Sequence, residues 1–368
     1  MEIRLSLNDL REDINRIDGQ IVRLLDQRAE TAKLIALAKH KESLPLHNPE
    51  REEEVLLALS TFSDGSLPLE RLTRIYRLIM SETLDFEKEL LAAKCPGQDI
   101  TAGKLDTDAK IVENRMISSG FWRMRIHCPR LAAAFHPGQF FQIAFSGTGS
   151  DPFLRRPFAP SEMFPDGFAF VYGVVGKGTS LMTTLQTGDN VQILAPLGNG
   201  YTLPAKGSRV ALIGGGCGGP SLGPLAKTLA ANGVKAVVTL GARTSRSLVG
   251  RDCFSEEKHT MVTATDDGSA GFTGTSVSAL ENKLGQDIRD YAKIYACGPI
   301  PMLKAAAALA KKYSLECEVS LEERMACGFG ACVGCAVEVK NSDGTTSYKR
   351  VCHDGPVFDS RVLVWDIA

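Results

Sequence analysis

Near the end of the chain, Met325-Ala326-Cys327-Gly328-Phe329-Gly330-Ala331-Cys332-Val333-Gly334-Cys335 sets three cysteines at C-x4-C-x2-C spacing, and Cys352 supplies a distant fourth. This spacing is one that holds a [2Fe–2S] cluster. The loop is rich in Gly and Ala, so backbone can wrap closely around inorganic sulfur and point N–H groups at it. A four-cysteine zinc site is the alternative. Zinc sites usually pair their cysteines as two close knuckles, and here only one such close pair exists. A cluster of this kind moves one electron at a time, so the remainder of the chain must supply a source and a destination for electrons.

The 368 residues imply several domains. A hydrophobic content of 44% and a charged content of 23% are ordinary for a globular protein in water. The formal net charge of −1 argues against a nucleic acid or an anionic membrane as partner. No apolar run approaches the roughly 20 residues that span a bilayer, and Met1-Glu2-Ile3-Arg4-Leu5 lacks a signal-peptide core. Cys95, Cys128, Cys217, Cys253, Cys297 and Cys317 are scattered singly, which fits a reducing, cytoplasmic setting.

The first 92 residues have chemistry of their own. Apolar residues at Leu10, Ile14, Ile17, Ile21 and Leu24 alternate in steps of four and three, predicting a long helix to about Lys41. Asn48-Pro49 reads as a helix cap and first turn, with a second helix over about Glu50–Thr61 and a third over about Pro68–Leu91. The same steps carry the stripe to Arg28 and Lys39. Cations on a buried face are costly unless paired. They are either side chains snorkelling along a helix edge or the walls of a pocket for a small dianion, to which Arg51 and Glu52 could add.

With Asp9-Leu10-Arg11, Ile17-Asp18, Leu24-Leu25, Ala38-Lys39, Pro49-Glu50-Arg51-Glu52 and Ile75-Tyr76-Arg77-Leu78-Ile79-Met80 leading to Thr83 and Glu87, this segment resembles the AroQ-type, all-helical chorismate mutases. The resemblance implies conversion of chorismate to prephenate. Arg11 and Arg28 would bind the two carboxylates with Arg51 nearby, Lys39 would bond a carboxylate and the ether oxygen, and Glu52 would take the ring hydroxyl. Glu87 would donate to the same ether oxygen. Thr83 stands where Ser is common, and Asn48 where Asp is frequent. Glu87 stands where many members have Gln, and only a protonated carboxyl can donate a hydrogen bond. Arg11 and Arg28 lie 17 residues apart, about 25 Å along one helix. If both bind one substrate, Arg11 comes from a second subunit, and the helical domain is an intertwined homodimer.

Cys95-Pro96-Gly97-Gln98 to about Ala109 is polar and without period, and reads as a linker over 93–109. Short β-rich runs follow at Phe121–Ile126, Phe140–Phe145 and Phe168–Tyr172, predicting an antiparallel β-barrel over 110–205. Within it, Arg155-Arg156-Pro157-Phe158-Ala159 offers a phosphate partner in Arg156. Val171-Tyr172-Gly173-Val174-Val175-Gly176-Lys177-Gly178-Thr179-Ser180 could bring backbone N–H groups and the Thr179 hydroxyl to a pyrophosphate. An α/β nucleotide-binding domain is predicted over 206–315. The strand Val210–Ile213 runs into Gly214-Gly215-Gly216-Cys217-Gly218-Gly219-Pro220, with Gly214, Gly216 and Gly218 as candidate contacts. The acidic residue expected about 20 positions later in a simple dinucleotide fold is missing; Gly241-Ala242-Arg243 stands there instead. A late Cys297-Gly298-Pro299 completes the set, with Cys297 either a packed thiol or a group facing a nicotinamide.

Together these stretches resemble the ferredoxin-reductase superfamily. Over 110–368, with Thr265-Asp266-Asp267-Gly268-Ser269, Ser320–Gly328 and Cys352-His353-Asp354-Gly355-Pro356, the chain looks like the electron-transfer subunit of type 1B dihydroorotate dehydrogenases. The resemblance implies FAD held by Arg156 to Ala159, Val171 to Gly173, Gly178 and Thr179, with Ala159 replacing a frequent Ser or Thr. It implies NAD(H) at Gly214, Gly216, Gly218, Cys297 and Gly298, and a [2Fe–2S] cluster on Cys327, Cys332, Cys335 and Cys352 in a small module over 316–368. The final acceptor would be the flavin of a separate, FMN-containing catalytic subunit. Two other readings stay open: a helical domain that senses metabolites or dimerises without catalysis, and a reductase serving a different redox enzyme. Arg243 and Arg246 leave NADH and NADPH both possible.

Overall fold

The computed structural model describes residues 7–41, 49–63, 65–94, 105–145, 153–341 and 343–365. Two compact units divide the chain near residue 102.

The first unit is three helices, α1 (Leu7–Lys41), α2 (Pro49–Phe62) and α3 (Leu69–Lys94). Pro49 is the first helical residue of α2, where its missing N–H costs nothing; Asn48 itself lies outside the described residues. α1 packs on α3 through small residues, with Ala32 and Ala36 buried, and Leu59 and Met80 close the core from α2 and α3. The 35 residues of α1 extend about 52 Å. Its N-terminal apolar stripe, Leu10, Ile14, Ile17, Ile21 and Leu24, is uncovered in a single chain, each residue being 42–63% exposed.

The second unit contains two sheets. β1 (Leu105–Ser118), β2 (Phe121–His127), β3 (Phe140–Phe145), β4 (Arg156–Phe158), β5 (Glu162–Phe164), β6 (Gly167–Gly173) and β7 (Asn190–Leu197) form one antiparallel sheet in the order β4-β3-β7-β1-β2-β6-β5. The barrel expected here does not close. Edge strands β4 and β5 do not pair with each other, although only Ala159, Pro160 and Ser161 separate them. Both are three residues long, and Pro157 and Pro160 remove backbone donors where closure would need them. The sheet's core is aromatic: Phe141 lies 4.6 Å from Phe168 and 5.0 Å from Phe170, centroid to centroid. β1 begins at Leu105 and α3 runs to Lys94, both inside the stretch read as a linker; residues 95–104 lie outside the described ones.

The second sheet is built from β8 (Arg209–Gly215), β9 (Lys235–Ala242), β10 (Thr260–Thr265), β11 (Phe272–Thr273), β12 (Lys293–Cys297) and β13 (Glu316–Ser320), all parallel. After a hairpin of β14 (Ala336–Lys340) and β15 (Thr346–Arg350), β16 (Val357–Asp359) adds to β13 antiparallel. Strands β8, β9 and β12 read as continuous apolar runs, as buried parallel strands must. One core joins this sheet to the C-terminal cysteines: Ile294, Val319, Cys335, Val351, Cys352 and Phe358 pack with Phe140 and Leu197 of the first sheet. Among the described residues no helix is long and apolar enough to cross a membrane.

Candidate functional sites

In the helical unit, a cavity of about 280 Å³ opens between the three helices, lined by Arg28, Thr31, Ala32, Ile35, Lys39, Arg51, Glu52, Val55, Met80, Thr83, Leu84 and Glu87. Six of the seven predicted residues therefore converge. The seventh, Arg11, is exposed on α1 and lines no part of it. Arg28 donates to the Thr83 hydroxyl, which in turn donates to the Ile79 carbonyl one helical turn back at 2.6 Å. Arg51 pairs with Glu54 at 2.7 Å on the open side. Glu87 is buried, and that burial raises its pKa above the ordinary carboxylate value, with Lys39 and Arg28 pulling the other way. The apolar walls, from Ala32 to Leu84, were not singled out from sequence. The small residues at 32 and 36, four apart on one helix face, are the signal that marks the close approach of α3.

In the second unit, a cavity of about 90 Å³ is walled on one side by Phe140, Pro157, Phe158, Ala159 and Val171, and on the other by Gly218, Cys297 and Gly298. Flavin-type and nicotinamide-type motifs, far apart in sequence, thus face one space. Close backbone approach explains the glycines. A Cβ on Gly218 would stand 2.6 Å from the Cys297 carbonyl, and one on Gly214 would stand 2.5 Å from Gly219 Cα. Gly216, at φ +54°, faces open space. Ser221 donates to Cys297 Sγ at 3.1 Å; desolvation outweighs this bond and pushes the thiol up to about 11, so it is neutral at pH 7. Ser221, Ser320 and Glu322 also line the cavity; Ser221 carries no motif, and Ser320 and Glu322 lie in the Ser320–Gly328 stretch but are not among the expected contacts.

The other predicted flavin contacts stand beside this cavity. A Cβ on Gly178 would meet Arg156 Nε at 2.4 Å, so only glycine lets the guanidinium lie against the helix Lys177–Met182. The Thr179 hydroxyl accepts from Val175 N at 2.9 Å and Gly176 N at 3.1 Å and is a cap for that helix rather than a free ligand group. Tyr172 is fully buried in the sheet core, donating to Asn114 Oδ1 at 2.9 Å. A Cβ on Gly173 would stand 3.5 Å from Cys217 Sγ, an ordinary contact distance.

The four C-terminal cysteines surround a loop that supplies N–H groups to sulfur. Gly330 N donates to Cys352 Sγ at 3.1 Å, Cys332 N to Cys327 Sγ at 3.4 Å, and Cys352 N to Cys335 Sγ at 3.4 Å. Gly328 and Gly330 take φ of +76° and +93°, and a Cβ on the latter would meet the His353 ring at 2.9 Å. Arg350 Nη1 donates to the Gly330 carbonyl at 2.7 Å and fixes the loop from below. Burial pushes the Cys327 thiol up, but the backbone N–H groups of Phe329, Cys332 and Ala331 and the Cys332 side chain outweigh it and bring it down to about 6. An all-thiol set, N–H donors aimed at sulfur and a thiol poised to ionise fit an iron–sulfur cluster.

Residues 10–88 match the family model of chorismate mutase type II. Residues 322–364 match the iron–sulfur cluster binding domain of dihydroorotate dehydrogenase B. The electron transfer subunit of dihydroorotate dehydrogenase B (NAD(+)) from Desulforamulus reducens is 40% identical over 261 residues, 70% of this chain and 98% of that protein. Its counterpart from Geobacillus thermodenitrificans is 41% identical over 260 residues, 69% of this chain and 96% of that one. Among solved structures, the NADH-dependent reduced ferredoxin-NADP oxidoreductase superposes with a TM-score of 0.62 at 32% identity, covering 70% of this chain and 90% of that one. The ferredoxin reductase of carbazole 1,9a-dioxygenase, at 23% identity and TM-score 0.51, shares the fold. With a flavin-type and a nicotinamide-type motif on one cavity and a thiol cradle packed into the same core, the chain belongs to the family of dihydroorotate dehydrogenase B electron transfer subunits and carries a chorismate mutase type II domain ahead of it.

Proposed function

We propose that this is a two-activity polypeptide: a chorismate mutase, and the electron-transfer subunit of a dihydroorotate dehydrogenase B complex linking NAD(H), FAD and a [2Fe–2S] cluster to an FMN-containing catalytic subunit. The observation that carries the first activity is the convergence of Arg28, Lys39, Arg51, Glu52, Thr83 and Glu87 on one cavity. The rearrangement breaks one C–O bond, forms one C–C bond and needs no proton transfer. The cavity has only to hold the folded dianion and stabilise charge developing on the ether oxygen. Arg28, oriented by Thr83, binds a carboxylate. Lys39 and protonated Glu87 point hydrogen at the ether oxygen, and Glu52 accepts from the ring hydroxyl. Arg11 completes the site from a second copy, and the uncovered stripe on α1 is the surface that would join the two copies.

For the second activity, bound FAD converts the two electrons of a hydride into single electrons. Arg156, seated against Gly178, would hold its phosphate, and Pro157–Ala159 and Val171, which line the cavity, would hold its ring. Gly218 and Gly298, packed closely on Cys297 and Gly215, form the wall against which a nicotinamide would lie, and the neutral Cys297 thiol would add no charge there. Cys327, Cys332, Cys335 and Cys352 would hold the cluster, and Phe140 packs in one core with two of them, Cys335 and Cys352.

Chorismate disappearance, followed by ultraviolet absorbance for wild type and Arg28→Ala, tests the mutase. We expect a robust wild-type rate that falls by at least about a hundredfold in the variant, the scale of one lost charge contact to the reacting molecule. No wild-type rate from a folded, yellow protein would leave the helical domain a sensor or a dimerisation module. Co-elution with a candidate dihydroorotate-oxidising subunit tests the partner; its failure would point the reductase to another redox enzyme.

A further inference from the structure

Gln142 stands in the middle of β3, between two cores. Its neighbours Phe141 and Ile143 are buried in the core of the first sheet, whereas Phe140 packs with Cys335 and Cys352. Alternation puts Gln142 on the face opposite Phe141 and Ile143, toward the cysteine module, next to a register shift between Phe140 and Gln142 in the pairing of β3 with β7. Its side chain is wholly buried, and neither Nε2 nor Oε1 has a hydrogen-bond partner among the described residues. A carboxamide buried without partners is costly, and such a group asks for an explanation in a bound ligand or ion. What lies against it is Gly328, the residue after Cys327: a Cβ there would stand 2.4 Å from Gln142 Cδ, 2.6 Å from Oε1 and 2.7 Å from Nε2. On the other side, Gln142 is in register with Pro157, which lines the flavin-type cavity.

We propose that Gln142 is a positioning residue whose Nε2–H donates a hydrogen bond to sulfur of the cluster held by Cys327, Cys332, Cys335 and Cys352, and that this bond holds the cluster's reduction potential up. The inference rests on the cluster reading above and assigns this chain's own side chain to it. Reduction adds an electron to a group that is already negative, so sulfur becomes a stronger acceptor. A donor stabilises the reduced form more than the oxidised one, which raises the potential. The unpartnered Nε2 is then satisfied, and the seam between flavin and cluster is braced by a residue of the flavin sheet.

The test uses the full chain, purified without oxygen, with iron, sulfide and flavin content measured first. In wild-type protein carrying ¹⁵N in its glutamine side chains, pulsed EPR of the reduced cluster should show one ¹⁵N coupling and, beyond the couplings of the backbone N–H donors, one further exchangeable-proton coupling. Both should vanish in Gln142→Met, which matches the side chain in size and donates nothing. Its cluster should also be harder to reduce by about tenfold, about 59 mV for a one-electron couple, with the flavin potential unchanged. A fully loaded wild type without the glutamine coupling overturns the proposal whatever the variant does, including a variant that fails to hold a cluster. A loaded Gln142→Met with unshifted potential and intact couplings overturns it equally. A wild type that takes up no iron and sulfide overturns the cluster reading itself, and is told apart because metal content rather than coupling fails.

Discussion

Glu87 shows what one residue's environment decides. A carboxyl at this position can donate to an ether oxygen only while protonated. Burial keeps the proton on to higher pH than usual, against the pull of Lys39 and Arg28. The sign follows: below the raised pKa the site has its donor, and above it the carboxylate repels the charge it should stabilise. Mutase kcat/KM should therefore fall as pH climbs through and beyond the ordinary carboxylate range, and Glu87→Gln should flatten the profile from about pH 5 to 9. A wild-type profile that is already flat and unmoved by the substitution would remove Glu87 from the reaction. Thr179 makes a different point. Its hydroxyl accepts two backbone N–H groups at the start of Lys177–Met182, so Thr179→Val should cost about 1 kcal/mol, the scale of a lost helix cap. Urea melts should register that loss even in flavin-free protein, which a purely ligand-binding role would not produce.

At the scale of elements, α1 is the unfinished one. An apolar stripe left half exposed along a helix of this length is costly in water, and a second copy of the same stripe is the simplest cover. Replacing Ile14 and Ile21 together by Lys should convert a dimer to a monomer by size-exclusion chromatography. On the proposal that Arg11 is shared between two copies, the same variant should lose chorismate turnover, while NADH oxidation with an artificial acceptor stays within about twofold. A monomeric variant with full mutase activity would show that Arg11 is not shared between copies. Legibility in the sequence divides along the same line between local and distant information. The three helices, the cysteine loop and the Gly-rich turn carry local periodicity or spacing, and all form where that pattern lies. β1 was hidden, because Asp106, Asp108, Lys110 and Glu113 break its apolar pattern. β4 and β5 are three residues each, too short for a period. Barrel closure depends on whether two such edges meet, which no local pattern encodes. Gln142 sits in an otherwise apolar run, and only the packing of a loop some 190 residues later makes it conspicuous.

At the scale of the whole molecule, the two units hold separate cavities, each assembled from residues of its own unit. Every cysteine of the cluster loop, every nicotinamide-type glycine and the flavin-type motif lie after residue 102, and Arg28 to Glu87 lie before it. The relatives at 40–41% identity align over 260–261 residues, 96–98% of their own length and 69–70% of this chain, the size of the second unit rather than of the whole. The reductase fold therefore exists without a helical domain ahead of it. Folding free energy comes mainly from buried apolar area within a unit, and among the described residues the three cores of the second unit draw on none before Ala109. A chain beginning at residue 103 should accordingly bind flavin, take up its cluster and oxidise NADH at a rate within about twofold of the full protein. Saturating chorismate should leave that rate unchanged in the full chain, since a ligand shifts an equilibrium only where it binds two states differently. Cys352→Ser gives the reciprocal measurement: cluster content should collapse while mutase kcat/KM holds. If chorismate instead altered NADH oxidation in the full chain, and the effect vanished in the shortened one, the helical domain would be a regulator as well as a catalyst, and two distinct states of the reductase would have to exist for it to choose between.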